Sequence, residues 1–459
     1  MELKVDMLHG PIWSRLPMFA LPVALTSVLE QMYNAADVAV AGNFTGSMRT
    51  AAVAAIGANS SVIALIINLF VGIALGANVV IANSIGRNDF KTVKSAVHTS
   101  LVFALLAGIF VTIIGELAAE PMLSSFNIPD DVMPLALAYL RIYLLGMPVI
   151  LMYNFESAIF RSVGDAHIPL IALGISSILN VILDLLAAAV LHMGVASVAA
   201  TTVFSNFVSC LVLLGILRTT RQPVRIDSVK IRIDTKVLGR ILKIGVPAGV
   251  QSAVFALSNI VIQTAINSLG TVVIAASSAA YNIEVFAYDV LNSFSQACTT
   301  FVGQNAGAGK LKRCKKVLAL CLIEDAVASA AAIFFVLFFG RHLLTIFTAD
   351  PKVIKIGYTR LIMVFSAYTF SMLYEVMSGY LRGFGISLIP AVMTIIGVCG
   401  IRITWILFIF PQNRTFRTIM SAYPASLATT ALLILILLIH YRPSRRFTIL
   451  ENNSKEELK

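Results

Sequence analysis

The sequence predicts an all-α membrane protein of twelve transmembrane helices, arranged as two parallel six-helix repeats. Three observations carry that prediction. Hydrophobic residues make up 58% of the 459, and Asp, Glu, Lys and Arg together only 12%, about half the charged share of a soluble domain. The apolar runs last roughly 20 to 30 residues, enough for a helix to cross hydrocarbon, whereas a β-barrel would alternate over about ten. The third is a twofold internal repeat. With a mean hydropathy of +0.89, too much apolar surface exists to hide in a water-soluble globule. A soluble enzyme, a disordered chain and a secreted disulfide scaffold are thereby excluded. Cys210, Cys298, Cys314, Cys321 and Cys399 form no Cys-x-x-Cys pair, which argues against a metal site or a disulfide framework.

Apolar runs between charged or Gly/Pro breaks place the spans at 14–44, 53–84, 93–118, 133–159, 166–190, 193–217, 239–268, 273–303, 314–339, 351–380, 387–411 and 416–441. Pro22 should bend the first of them, because a proline deletes a backbone hydrogen bond. No small-residue cleavage site follows that run, so no cleavable signal peptide is expected. The organisation expected is an amino-terminal lobe over 14–217, a polar cytoplasmic linker over 218–238, a second lobe over 239–441 and a cytoplasmic tail over 442–459. Orientation follows from Lys and Arg. With the amino terminus in the cytoplasm, 25 of the 34 fall on cytoplasmic segments and six outside. The other three, Arg141, Arg360 and Arg402, lie within spans. Both termini are therefore expected inside a cytoplasmic membrane. The basic loops read as topology signals near anionic lipid, not as a nucleic-acid surface.

The chain is written twice at a spacing of 221. Arg161 answers Arg382, Gly164 answers Gly385, and Pro169 answers Pro390; Phe126 and Phe347, Tyr153 and Tyr374, and Gly86 and Gly307 keep the same separation. Six spans lie between equivalent positions, so the halves enter the membrane in the same sense. Two such lobes facing a cavity form an alternating-access carrier. The stretch from Gly303 to Lys310 imitates a phosphate-binding loop. It has one residue too many between its glycines, Leu311 replaces the Ser/Thr that would hold Mg²⁺, and no strand precedes it. With no other nucleotide motif, the energy source expected is an ion gradient, H⁺ or Na⁺.

Ionisable groups within spans are costly and mark function. Asp37 sits well inside span one, in Tyr33-Asn34-Ala35-Ala36-Asp37. Asp184 lies mid-span five, and Asn180 precedes it by four residues, so both share one helix face. An amide and a carboxylate together offer oxygen ligands for Na⁺ or a seat for a proton. In the second half, Glu284, Asp289, Tyr374 and Glu375 are the candidates, with Arg402 expected to neutralise one of the acids. Glu116, Glu324 and Asp325 read as solvated ends or local helix contacts.

Several features together resemble one family. They are the duplicated twelve-span plan, Leu21-Pro22, the run from Tyr33 through Asp37 to Gly42, the Gly303–Lys310 loop, and Arg161 and Arg382 before Gly164 and Gly385. Over about Pro17 to His440 the chain resembles multidrug and toxic compound extrusion (MATE) transporters, most of all the prokaryotic branch whose first-lobe aspartates carry the coupling ion. The resemblance implies a V-shaped fold and H⁺- or Na⁺-coupled antiport of organic, often cationic, substrates. It implies a polar network of Asp37, Tyr139, Asn154, Asn180, Asp184 and Thr202, with Thr201 a close rival to Thr202. An Na⁺ ion would draw on Asp37, Asn180, Asp184 and Thr202, while Gln31, Tyr33 and Asn154 are placed in the substrate cleft. Members of another branch carry an acid on span seven, where this chain has Gln251.

The function expected is cation-coupled export of drugs or metabolites. The alternative is a lipid-linked oligosaccharide flippase of the same superfamily, which would need basic residues in its cavity to hold pyrophosphate; the mid-span charges here are mainly acidic. The repeat and the buried carboxylates speak against a receptor or scaffold. The six scattered histidines support no membrane-embedded enzyme. A small organic substrate and membrane lipid are the expected partners of a monomeric carrier with no cofactor.

Overall fold

The computed structural model describes residues 4–44, 49–125, 128–191, 193–226 and 232–444. Phe126, part of the 218–238 segment and the tail from residue 445 lie outside them. The described chain is helical in the order expected. The first six spans are α1 (Ile12–Phe44), α2 (Arg49–Gly86), α3 (Phe90–Ser124), the pair α4 (Met133–Leu145) and α5 (Met147–Ser162), α6 (His167–Asp184) with a π-helical turn at Leu185–Val190, and α7 (Val195–Thr219). The second six are α8 (Thr235–Asn267), α9 (Thr271–Gly307), α10 (Leu311–Thr345), the pair α11 (Pro351–Phe365) and α12 (Tyr368–Gly383), the interrupted run α13 (Leu388–Thr394) and α14 (Ile401–Thr404), and the pair α15 (Phe416–Met420) and α16 (Ala422–Tyr441). Eleven of these twelve segments are long and apolar enough to cross a membrane when each bent pair counts as one. The remaining one, α9, is long but more polar, because its buried side carries Glu284, several Ser and Thr, Gln304 and Asn305.

Local chemistry sets the helix ends. Asp89 caps α3 by accepting from Thr92 N at 3.0 Å, and Asp350 caps α11 ahead of Pro351 at the first helical position. Asp234 accepts from the backbone of Val237 and Lys236 at the start of α8 and from Ser95 Oγ at 3.1 Å. The Val237 N–H in particular holds its carboxyl below the usual range.

The chain folds as two compact units. Unit 1 holds Leu25–Ile85 and Asp89–Gly245; unit 2 holds Val5–Ala24, Gly86–Asn88 and the chain from Val246 onward. These limits differ from the expected lobes at three places: the Gly86–Asn88 turn and two longer stretches, each of which has a physical reason. The start of α1 groups with unit 2 because Phe19 packs edge-on against Phe301 at 6.1 Å. The strap before α1 is also held there. Asn305 Nδ2 donates to the Met7 carbonyl at 3.0 Å and Lys310 Nζ to that of Leu8 at 3.0 Å. Arg313 donates to the carbonyls of Met7, His9 and Gly10. The Gly303–Lys310 motif thus binds peptide carbonyls of its own chain. The segment after α7 groups with unit 1 because Val224 and Ile226 are buried in that unit's core.

The repeat is visible in the geometry. The α4–α5 pair bends by 50° and α11–α12 by 43°, at Gly146 and Ala367, which are 221 apart. Asn78 Nδ2 donates to the Ala158 carbonyl at 3.2 Å, and Thr299 Oγ1, at the same offset, donates to the Gly379 carbonyl at 3.1 Å. Close helix approach uses small residues, as lipid-embedded packing requires. A Cβ on Gly108 would strike the Pro148 backbone, whereas one on Gly174 would meet nothing. Gly108→Val should therefore cost about 1–3 kcal/mol by overpacking and lower the melting temperature of the solubilised protein, with Gly174→Ala unchanged. Equal melting temperatures would refute the packing account.

Candidate functional site

In unit 1 one cluster of buried polar groups draws on α1, α4, α6 and α7. Asp37 is 3% exposed, and Asn180 and Asp184 are 0% exposed. Asp184 is the last residue of α6 before the π-helical turn at Leu185–Val190, a distortion that recurs at functional sites. Thr202 Oγ1 donates to Asp37 Oδ2 at 2.9 Å, and Thr201 Oγ1 donates to Asp184 Oδ1. The rivalry between the two threonines resolves into one for each carboxylate. Tyr33 OH donates to the Thr202 carbonyl at 3.1 Å. Tyr139 is buried, stacks on Tyr143 and lies within electrostatic reach of both aspartates.

What this cluster lacks is as informative. Asp37 Oδ1, Asp184 Oδ2 and both terminal atoms of the Asn180 amide are buried without a hydrogen-bond partner. The two carboxyl groups lie against each other and against Asn180. Among the described residues no Lys, Arg or His forms an ion pair with either. Two buried carboxylates cannot remain side by side as bare anions, since each uncompensated charge costs several kcal/mol. The arrangement can hold a proton between them or take a small cation on their oxygens.

In unit 2, Glu284 and Glu375 are each answered by an arginine, whereas Asp325 on α10 is buried with only Ser329 Oγ donating to it, at 3.4 Å. Arg360 donates to Glu284 Oε2 through Nη2 at 2.8 Å and Nε at 3.0 Å, and to Ser277 Oγ at 2.6 Å. Glu375 accepts from Arg382 at 3.3 Å and from Tyr288 OH at 3.1 Å. Arg402, expected to neutralise an acid, instead donates to Ser426 Oγ at 3.2 Å and Asn259 Oδ1 at 3.3 Å, with its guanidinium 4.3 Å from the Tyr423 ring. Asp289 lies on α9 within electrostatic reach of Tyr281 and Tyr288. Tyr374 and Gln251 are buried in α12 and α8.

The MatE family profile matches residues 22–186 and 247–408, one stretch in each half of the chain. The chain belongs to the MatE family. This MatE protein is 24% identical over 434 residues to the probable multidrug resistance protein YoeA of Bacillus subtilis, covering 92% of each chain. It is 25% identical to the probable multidrug resistance protein NorM of Thermotoga maritima, over 84% of this chain and 82% of that one. Its fold matches the outward-facing conformation of a multidrug resistance MATE family transporter of the MOP superfamily. There the TM-score is 0.88 at 21% identity, over 98% of this chain and 99% of the other. The protein is a multi-pass membrane transporter and not an enzyme.

Of the residues expected at the MatE site, Asp37, Asn180, Asp184, Thr202, Tyr139 and Tyr33 come together. Asn154 does not join them: its amide is taken by the Ile150 carbonyl of its own helix at 2.9 Å. Gln31 is half-buried on α1. Sequence reasoning missed Asn206, which donates to Tyr33 OH at 3.4 Å and to the Thr202 carbonyl at 2.9 Å, and Tyr143 beneath Tyr139. Asn206 stands one helical turn after Thr202, a spacing that puts both on one face.

Proposed function

We propose that this MatE transporter exports organic, chiefly cationic, drugs or metabolites from the cytoplasm in exchange for H⁺ or Na⁺ bound at Asp37 and Asp184. The observation that carries the reading is a pair of buried carboxylates with orphaned oxygens and, among the described residues, no Lys, Arg or His paired with either. Ion occupancy there changes the charge that a cationic substrate meets, and a ligand shifts an alternating-access equilibrium only through such differential binding. The similarity to the probable multidrug resistance proteins above supports drug export. The lipid-linked oligosaccharide flippase reading needs arginines free to hold pyrophosphate, and Arg360 is engaged by Glu284. Both termini are placed in the cytoplasm on the Lys and Arg distribution.

The test is efflux of ethidium, a fluorescent organic cation, from everted vesicles energised separately by a pH gradient or an Na⁺ gradient. One of the two gradients should drive transport, and collapsing it should stop transport. Efflux that ignores both would remove the antiport reading.

A further inference from the structure

The repeat allows the two units to be compared residue by residue at the site itself. The offset of 221 sets Tyr139 against Arg360, and each stands seven residues before the break in its span, at Gly146 and Ala367. The same offset sets Thr202 against Tyr423. In unit 1, Tyr139 lies near Asp37 and Asp184, and Thr202 hydrogen-bonds Asp37. In unit 2, Arg360 holds Glu284 by two hydrogen bonds and lies 5.6 Å from the Tyr423 ring and 5.4 Å from that of Tyr281. Both clusters therefore carry a buried acid facing the first half of a broken span. Only the second carries a positive charge of its own. A guanidinium stays protonated at any physiological pH, and its planar fork fixes the pairing geometry, so Glu284 has a full positive charge beside it at every such pH.

We propose that Arg360 is a built-in counter-ion, holding in unit 2 the place that unit 1 fills from solution, so that each chain exchanges its coupling ion at unit 1 alone. The inference rests on the reading of Asp37 and Asp184 as the ion site. It assigns one such site per chain and makes Tyr139 the residue whose neutrality keeps that site open.

The test counts ions on the purified full chain. Binding of ²²Na⁺ is measured by equilibrium dialysis, and proton uptake in a pH jump is followed with an indicator dye; the ion lost in Asp37→Asn is the one counted. Wild type should bind one such ion per chain. Tyr139→Arg brings a guanidinium to Asp37 and Asp184 and should lower binding by roughly tenfold or more, because it competes for the same oxygens. The melting temperature of that variant should no longer depend on the ion. Glu284→Gln/Arg360→Met, which removes both charges of that pair, should still bind one ion. Two ions in wild type, undiminished binding in Tyr139→Arg, or lost binding in the double variant would each overturn the inference alone. Undiminished binding of both ions in Asp37→Asn would overturn the underlying site together with it.

Discussion

Gradient-driven export should fall by about 100-fold in Asp37→Asn, the upper range of measured coupling between two sites, with normal abundance in the membrane. The change keeps the size of the side chain and removes its titratable oxygen. Thr202 still finds an acceptor in the amide, so the 2.9 Å contact with α7 can persist and the unit should stay folded. Substrate binding without a gradient should survive, because what is lost is the exchange of ion for cargo. Asp184→Asn should act in the same direction. Glu116→Gln is the control: that acid pairs with Arg141 at 3.6 Å, with both side chains partly exposed, and should export as wild type does. Normal ethidium efflux in Asp37→Asn, combined with loss in Glu375→Gln or Asp289→Asn, would move coupling to unit 2.

Arg360→Met should be the most destabilising single change. It leaves Glu284 buried and unpaired, a situation that costs about 3–5 kcal/mol, and it empties the contact with Ser277 Oγ. Removing the acid as well should recover most of that loss, because replacing a buried ion pair by neutral groups of similar volume is close to neutral. The measurement is the melting temperature of the solubilised protein for Arg360→Met, Glu284→Gln and the double variant. Additive losses in the double variant would show that the two side chains act independently.

Much of this is legible in the sequence. Asp37 and Asp184 stand out because a carboxylate in an apolar run has few structural reasons to be there, and Asn180 follows from helical spacing. The break at Gly146 has a visible cause in Pro148. Its counterpart at Ala367 has no proline or glycine, so its sequence passes for continuous helix. Partnerships between helices were the harder part. Arg360 and Arg402 lie on different spans, and nothing in either helix states which neighbour its guanidinium will meet; the acid went to Arg360. The pairing of Thr201 and Thr202 with different aspartates likewise depends on how α7 is rotated, which its nearly uniform apolarity does not specify. Asn206 and Tyr143 escaped notice because amides and phenols are common in spans and gain meaning only from what they touch.

The strap before α1 has an evolutionary consequence. Asn305, Lys310 and Arg313 bind it through the carbonyls of Met7, Leu8, His9 and Gly10, and every amino acid carries one. Of the four residues whose carbonyls are held, Leu8 and His9 can drift between related genes, whereas Met7 is buried and Gly10 has a φ of 67° that favours glycine; just before them Val5 is buried and Asp6 accepts from the Leu8 and His9 backbone. Length is what cannot drift. Deleting one residue between Met7 and Ile12 shifts the preceding carbonyls by about 3.3 Å, one extended residue, and takes them out of register with their donors. Homologous genes should therefore show substitutions in this stretch and almost no insertions or deletions.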